Sequence, residues 1–166
     1  LLVGAAAGDV VATAAGSAVC SGALTAAAGR VSVSGGADAF DAASGIATSW
    51  AHASGNAEVR AGATAGAGDI DVHAGRQVRV SGTLDAAGSV RVIGDGAAQP
   101  SNSARVESGA VLLAGGSVHV RAARGVYMAP SATATATGGD VHVDALGGAA
   151  DVGALSGGGG GGGGGG

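Results

Sequence analysis

The sequence predicts an all-β chain wound as a parallel β-helix solenoid with coils of about 20 residues. Three observations carry this: a recurring Gly-x-Val-x-Val unit, strand-like segments only three to six residues long, and an apolar fraction built largely from alanine and valine. The unit reads GRVSV at Gly29–Val33, GDIDV at Gly68–Val72, GSVRV at Gly88–Val92, GSVHV at Gly116–Val120 and GDVHV at Gly139–Val143. A looser copy, GDVVA, spans Gly8–Ala12. Successive first glycines are 21, 39, 20, 28 and 23 residues apart. The spacing of 39 is close to twice 20, as though one copy had degenerated between Gly29 and Gly68.

Each unit alternates with the two-residue period of a strand. Val31 and Val33 are expected to point inward around Ser32, Ile70 and Val72 around Asp71, Val90 and Val92 around Arg91, and Val118 and Val120 around His119. The apolar positions are β-branched, which favours a pleated surface over a helix. Between them lie Gly-Gly, Gly-Asp-Gly and Ser-Gly-Asn, suited to sharp corners. Within Gly68–Gly88, three strand-like pieces (Asp69–His73, Gln77–Ser81 and Thr83–Asp85) make one triangular coil. Residues 8–155 are then expected to form seven or eight coils, about 35 Å long at ~4.8 Å per coil.

Composition fits this architecture. Glycine occurs 36 times among 166 residues, aromatics make up 2% and charged residues 12%, too few large side chains to fill a compact α/β interior. Disorder combines low hydrophobicity with high net charge, whereas this chain is 46% apolar with net charge −4. All eight basic residues are arginine, scattered among twelve acids without a basic patch, so nucleic acid is not an expected partner. Cys20 is the single cysteine and excludes an internal disulfide framework. No signal peptide is read at Leu1. The uncharged run from Val10 to Gly29 has the length of a membrane span, but Ala, Gly, Ser and Thr dominate it and no span is expected.

Three segments break the pattern. Phe40–Gly55, with Trp50 and His52, is expected to leave the coil as a loop or distorted rung; Gly94–Ser103, with Pro100, is a second loop. Ala129–Gly138, with Pro130 and the alternation Thr133–Thr137, is a strand or a corner extension. The chain divides into a β-helix segment at 1–155 and a glycine tail at 156–166, read as a linker or as a placeholder for residues of unassigned identity.

The stretch Gly68–Gly96, GDIDVHAGRQVRVSGTLDAAGSVRVIGDG, resembles the degenerate repeats of filamentous haemagglutinin and the large exoproteins exported by two-partner secretion. The later segments GGSVHVRAARGVYM and GGDVHVDALGG resemble them too, so that the likeness covers residues 8–155. It implies a right-handed parallel β-helix, export to the bacterial cell surface, and a structural or adhesive role. The implied partner is a receptor or carbohydrate on a host or neighbouring cell. The family's N-terminal secretion domain, with its Asn-Pro-Asn signatures, is missing, so the chain is expected to be a fragment. A self-assembling filament or surface-layer subunit, associating end to end through unpaired coil ends, is the alternative.

Chemistry-bearing constellations are sparse. Glycosidase chemistry needs two carboxylates facing one cleft, and Asp69, Asp71, Asp140 and Asp144 recur instead as parts of the repeat. A β-helix carbohydrate-active enzyme is therefore the lesser reading, and no catalytic or cofactor-binding residue is assigned. Gly35–Ala42 is similar to a single degenerate copy of the calcium-binding nonapeptide roll, which works only in tandem. His52, His73, His119 and His142 lie in no metal-ligand spacing and are expected outside, in water; no metal is assigned. His119 and His142 share one repeat position and are expected to stack on adjacent coils, with Arg121 over Asp144 on the inward parity of the strand or at its exit corner. The Thr133–Thr137 alternation resembles one rung of a flat ice-binding face, but occurs once.

Overall fold

The computed structural model describes residues 3–36, 55–95 and 103–157, with the backbone of 39–40 and 47–49. These residues contain no helix; they form a parallel β-helix of six coils preceded by one further strand, β1 (Val3–Ala5). The first coil holds β2 (Val10–Ala14), β3 (Ala18–Cys20) and β4 (Ala23–Ala26). The second holds β5 (Val31–Gly35), then the short pair β6 (Ala39–Phe40) and β7 (Ala47–Ser49), then β8 (Asn56–Val59) and β9 (Gly62–Ala65). The third is β10 (Ile70–Ala74), β11 (Gln77–Val80) and β12 (Thr83–Ala86). The fourth is β13 (Val90–Gly94), β14 (Ala104–Val106) and β15 (Val111–Ala114). The fifth is β16 (Val118–Ala122), β17 (Val126–Met128) and β18 (Thr133–Ala136), and the sixth β19 (Val141–Ala145), β20 (Ala150–Asp151) and β21 (Ala154–Gly157).

Stacking produces three parallel sheets. Sheet I runs β2-β5-β10-β13-β16-β19, sheet II β3-β8-β11-β14-β17-β20, and sheet III β1-β4-β9-β12-β15-β18-β21. The repeat unit builds sheet I alone. Its register is unbroken: Val10, Val31, Ile70, Val90, Val118 and Val141 are aligned through the stack. Val31, Val33, Ile70, Val72, Val90, Val92, Val118 and Val120 are fully buried, whereas Val141 and Val143 in the last described coil are half-buried. Each fully buried valine or leucine contributes about 1.5–3 kcal/mol relative to exposure. Sheets II and III complete the core with smaller side chains, such as Ala57, Ala104, Ala63 and Ala134, interleaved with Val78, Val80, Leu84 and Leu112.

Two expectations are corrected. The 39-residue spacing hides no degenerate coil, because Val31 of β5 pairs directly with Ile70 of β10. The extra residues leave at Gly36 and return at Gly55, whose backbones touch, so one coil carries an insertion. The spacing of 28 has a similar origin, since the chain leaves after Gly94 and rejoins at Ala104. Six described coils, five steps of ~4.8 Å, span about 24 Å and are fewer than the seven or eight expected. Second, Ser32, expected to face water between Val31 and Val33, is buried, and so is the next outward serine, Ser34. They are short, lie between the longer ladder neighbours Val11 and Asp71 or Thr13 and His73, and adjoin the buried glycines where the insertion departs.

The form of the repeat has a physical cause at the corner between sheets III and I. After Gly8, Gly68, Gly88 and Gly116, though not after Gly29, where Arg30 has no acceptor, the next residue accepts a hydrogen bond from the backbone N–H of its equivalent one coil on. Asp9 Oδ1 accepts from Arg30 at 3.0 Å, Asp69 Oδ1 from Ser89 at 2.7 Å, Ser89 Oγ from Ser117 at 3.3 Å, and Ser117 Oγ from Asp140 at 3.3 Å. Those oxygens sit where a side chain on the next glycine would go. A Cβ on Gly29 would lie 2.7 Å from Asp9 Oδ1, and one on Gly116 2.9 Å from Ser89 Oγ. The motif therefore pairs glycine with a short acceptor: one leaves room and the other ties the coils.

Candidate interaction surfaces

The outward face of sheet I is a polar ladder in which Asp71, Arg91, His119 and His142 occupy successive rungs. Arg91 reaches both acids of the coil before it, 2.9 Å to Asp71 and 3.0 Å to Asp69. The rings of His119 and His142 stack as expected, with centroids 4.9 Å apart and planes 12° apart. Partial burial holds the His119 pKa below the usual imidazole value; His142 and Arg91 add to this, and Asp144 opposes it. Nitrogen lone pairs lie in the ring plane, so those of two nearly parallel rings do not converge on one ion. No group of three or more His, Cys, Asp or Glu among the described residues is arranged to hold a metal.

Arg121 and Asp144 share a rung, but both sit on the exposed, outward parity, not on the inward parity or exit corner expected of them. Counting from Val118 explains this, since every second residue points out. His73 is also not a freely solvated histidine. It pairs with the Asp95 carboxylate, and that hydrogen bond holds the Asp95 pKa below the ordinary carboxylate value. His52 lies outside the described residues, as do Asp38 and Asp41 of the Gly35–Ala42 segment.

Sheet II is likewise paired along its outer face. Arg60 binds Glu58 at 2.9 Å, which lowers the Glu58 pKa. Arg79 and Arg105 share Glu107 at 2.8 and 3.2 Å. The Arg105 guanidinium also lies over the Tyr127 ring, 4.8 Å from its centroid. Such exposed pairs contribute little to stability, and of these three ion pairs only Arg79–Glu107 joins successive coils and so marks register.

Sheet III differs. One outward column reads Thr25, Thr64, Asp85, Leu113, Thr135 and Ser156 from coil to coil, and Thr83 and Thr133 stand in the column beside it. Among the described residues, Asp85 is the single charged group on this face. Sequence spacing shows one Thr-x-Thr rung; the sheet register brings together hydroxyls from four other coils. A depression of 430 Å³ crosses coils two to five, lined by Thr64, Asp85, Leu113, Thr135 and Thr137 above the small corner residues Gly66, Ala87 and Gly115. It offers hydroxyls, one carboxylate and apolar contact, whereas acid–base glycosidase chemistry uses two carboxylates.

The edge between sheets I and II carries both insertions, residues 37–54 on the second coil and 96–102 on the fourth. Insertions that map to one side of a solenoid commonly form its binding face. Phe40 and Trp50, two of the three aromatic residues in the chain, belong to the first insertion. Arg76 and Arg124 stand at the same edge on the third and fifth coils, both exposed. Asn56 Oδ1, at the return of the first insertion, is buried without a hydrogen-bond partner among the described residues.

No family model, curated protein or solved structure matches the chain. No helix among the described residues is long and apolar enough to cross a membrane, and the uncharged run Val10–Gly29 lies in the strands and corners of the first coil.

Proposed function

We propose that this chain is a structural and adhesive rod segment of a bacterial surface exoprotein, acting outside the cell on a receptor or carbohydrate of a host or neighbouring cell. The observation that carries the reading is the combination of an unbroken stack with clustered insertions. Three ladders run through all six described coils, a stiff support, while both long insertions leave from one edge two coils apart. A rod that presents inserted segments along one side holds their points of departure at fixed spacing, which suits contact with a surface. The likeness of residues 8–155 to filamentous haemagglutinin repeats supports the same reading.

The test is adhesion of protein-coated beads to cultured epithelial cells and to bacterial cells. Beads bearing the chain should adhere well above beads coated with albumin. A variant lacking residues 37–54, with Gly36 joined to Gly55, should keep its β-sheet circular dichroism and lose much of that adhesion. The junction is favourable because the two glycines already touch. Adhesion no better than albumin on every cell type would overturn the proposal.

A further inference from the structure

The outward groove of sheet III is a second, separate feature, and its chemistry is selective. Among the described acids, Asp9, Glu58, Asp69, Asp71, Asp95, Glu107 and Asp140 pair with an arginine or histidine, whereas Asp85, like Asp144 and Asp151 of the sixth coil, makes no ion pair with a described residue. Asp85 is exposed, and its own sheet face presents no cation among the described residues. Next to it in register lies Leu113, a large apolar side chain 36% exposed. Thr64 and Thr135 flank the pair one coil to either side. Thr137 lines one end, its hydroxyl 3.3 and 3.4 Å from the Ala114 and Gly115 carbonyls, which share its single proton.

We propose that this groove binds a neutral oligosaccharide lying along the helix axis. A pyranose presents hydroxyls at its rim and an apolar C–H face, matching a carboxylate and threonine hydroxyls set around Leu113 and Ala87. Four coils at ~4.8 Å give a track about 14 Å long, room for a short glycan. The volume of 430 Å³ falls within the range of small-ligand sites. Charge argues against two other occupants. An anionic glycan would meet Asp85 with no arginine to receive it. A second copy packed face to face would bury Asp85 against a patch that repeats itself and so brings no cation.

The groove lies on a different face from the insertion edge, so failure here leaves the adhesion reading standing, and the reverse. Isothermal titration uses the intact chain with maltohexaose, mannohexaose and chitohexaose, and with a heparin-derived hexasaccharide and hexalysine for comparison. At least one neutral hexasaccharide should bind, and the heparin fragment should not. Asp85→Asn should weaken binding about tenfold, as expected for the loss of a charge-assisted hydrogen bond. Leu113→Asp should abolish it. Both positions are exposed, and an unchanged melting temperature separates loss of binding from loss of fold. The proposal is overturned if no neutral sugar binds or if both variants bind like the parent. It is equally overturned if only hexalysine binds, or if sedimentation shows a dimer that Leu113→Asp dissolves.

Discussion

Sheets I and III share one construction on the inside and diverge on the outside. Inward, both are columns of apolar residues stacked coil on coil: Val31, Ile70, Val90 and Val118 in one, Leu84, Leu112 and Ala134 in the other, all fully buried. Outward, sheet I turns its polar side chains on each other, Asp71 to Arg91 by an ion pair and His119 to His142 by ring stacking, while sheet III leaves threonines, Asp85 and Leu113 facing water. The inner ladder specifies the fold. The outer ladder is free to differ, and where its polar groups are not satisfied within the molecule they are available to something else.

The largest expected effect tests whether the two inner ladders are equivalent. Val90→Asp in sheet I and Leu84→Asp in sheet III each place an unpaired carboxylate in the stack and should cost about 3–5 kcal/mol. Asp85→Leu, one residue from Leu84 but facing out, should change stability by no more than about 0.5 kcal/mol. Chemical denaturation followed by circular dichroism measures all three. If Leu84→Asp is tolerated while Val90→Asp is not, sheet III is not part of the same core and the comparison fails.

Sheet I was legible because β-branched residues at every second position leave a periodic trace. The third coil was read almost strand for strand: Gln77–Ser81 and Thr83–Asp85 became β11 (Gln77–Val80) and β12 (Thr83–Ala86). Elsewhere, sheets II and III were hidden because alanine fills many of their inward positions. Ala57, Ala63 and Ala104 look the same in a corner as in a core. The coil count was overestimated because spacing alone cannot distinguish an eroded coil from an insertion; the direct pairing of β5 with β10 decides it. The groove was illegible for a related reason. Thr64, Asp85, Leu113 and Thr135 are separated by 21, 28 and 22 residues, and only the register makes them neighbours.

A smaller effect should separate the two outer faces by their response to salt. Arg91→Ala removes two partly exposed ion pairs from sheet I and should cost about 1 kcal/mol or less at low salt. Most of that cost should vanish in about 1 M salt, where the screening length falls to ~3 Å. Asp85→Ala removes no partner and should be insensitive to salt. Melting temperatures of both variants against the parent, in low and high salt, provide the readout. An equal salt response at the two sites would mean that the lateral pairs of sheet I contribute nothing to holding its register.

The smallest effect concerns pH and sheet I alone. The His119 pKa lies below its unfolded value, first because the ring is partly buried and then because His142 and Arg91 are adjacent. Between that lowered value and about 6.5, the unfolded chain binds more protons at this position than the folded one. Stability from His119 is therefore present above pH about 6.5 and declines as pH falls below it. Asp9, Glu58 and Asp95 are lowered as well, by hydrogen bonds to the Arg30 backbone, Arg60 and His73 in turn. Their contribution is present above about pH 4 and is lost only further down. Acid should thus act in two stages. A modest fall in melting temperature as the pH drops below about 6.5 belongs to His119, at roughly 2–4 °C per kcal/mol for a chain of this size. A steeper fall below about pH 4 belongs to the carboxylates. His119→Gln should flatten the first stage and leave the second in place, whereas Thr135→Val on sheet III should alter neither. If the parent's melting temperature stays level down to pH 5, or His119→Gln retains the parent's slope, the stacked pair marks the register of the fifth and sixth coils without coupling it to protons.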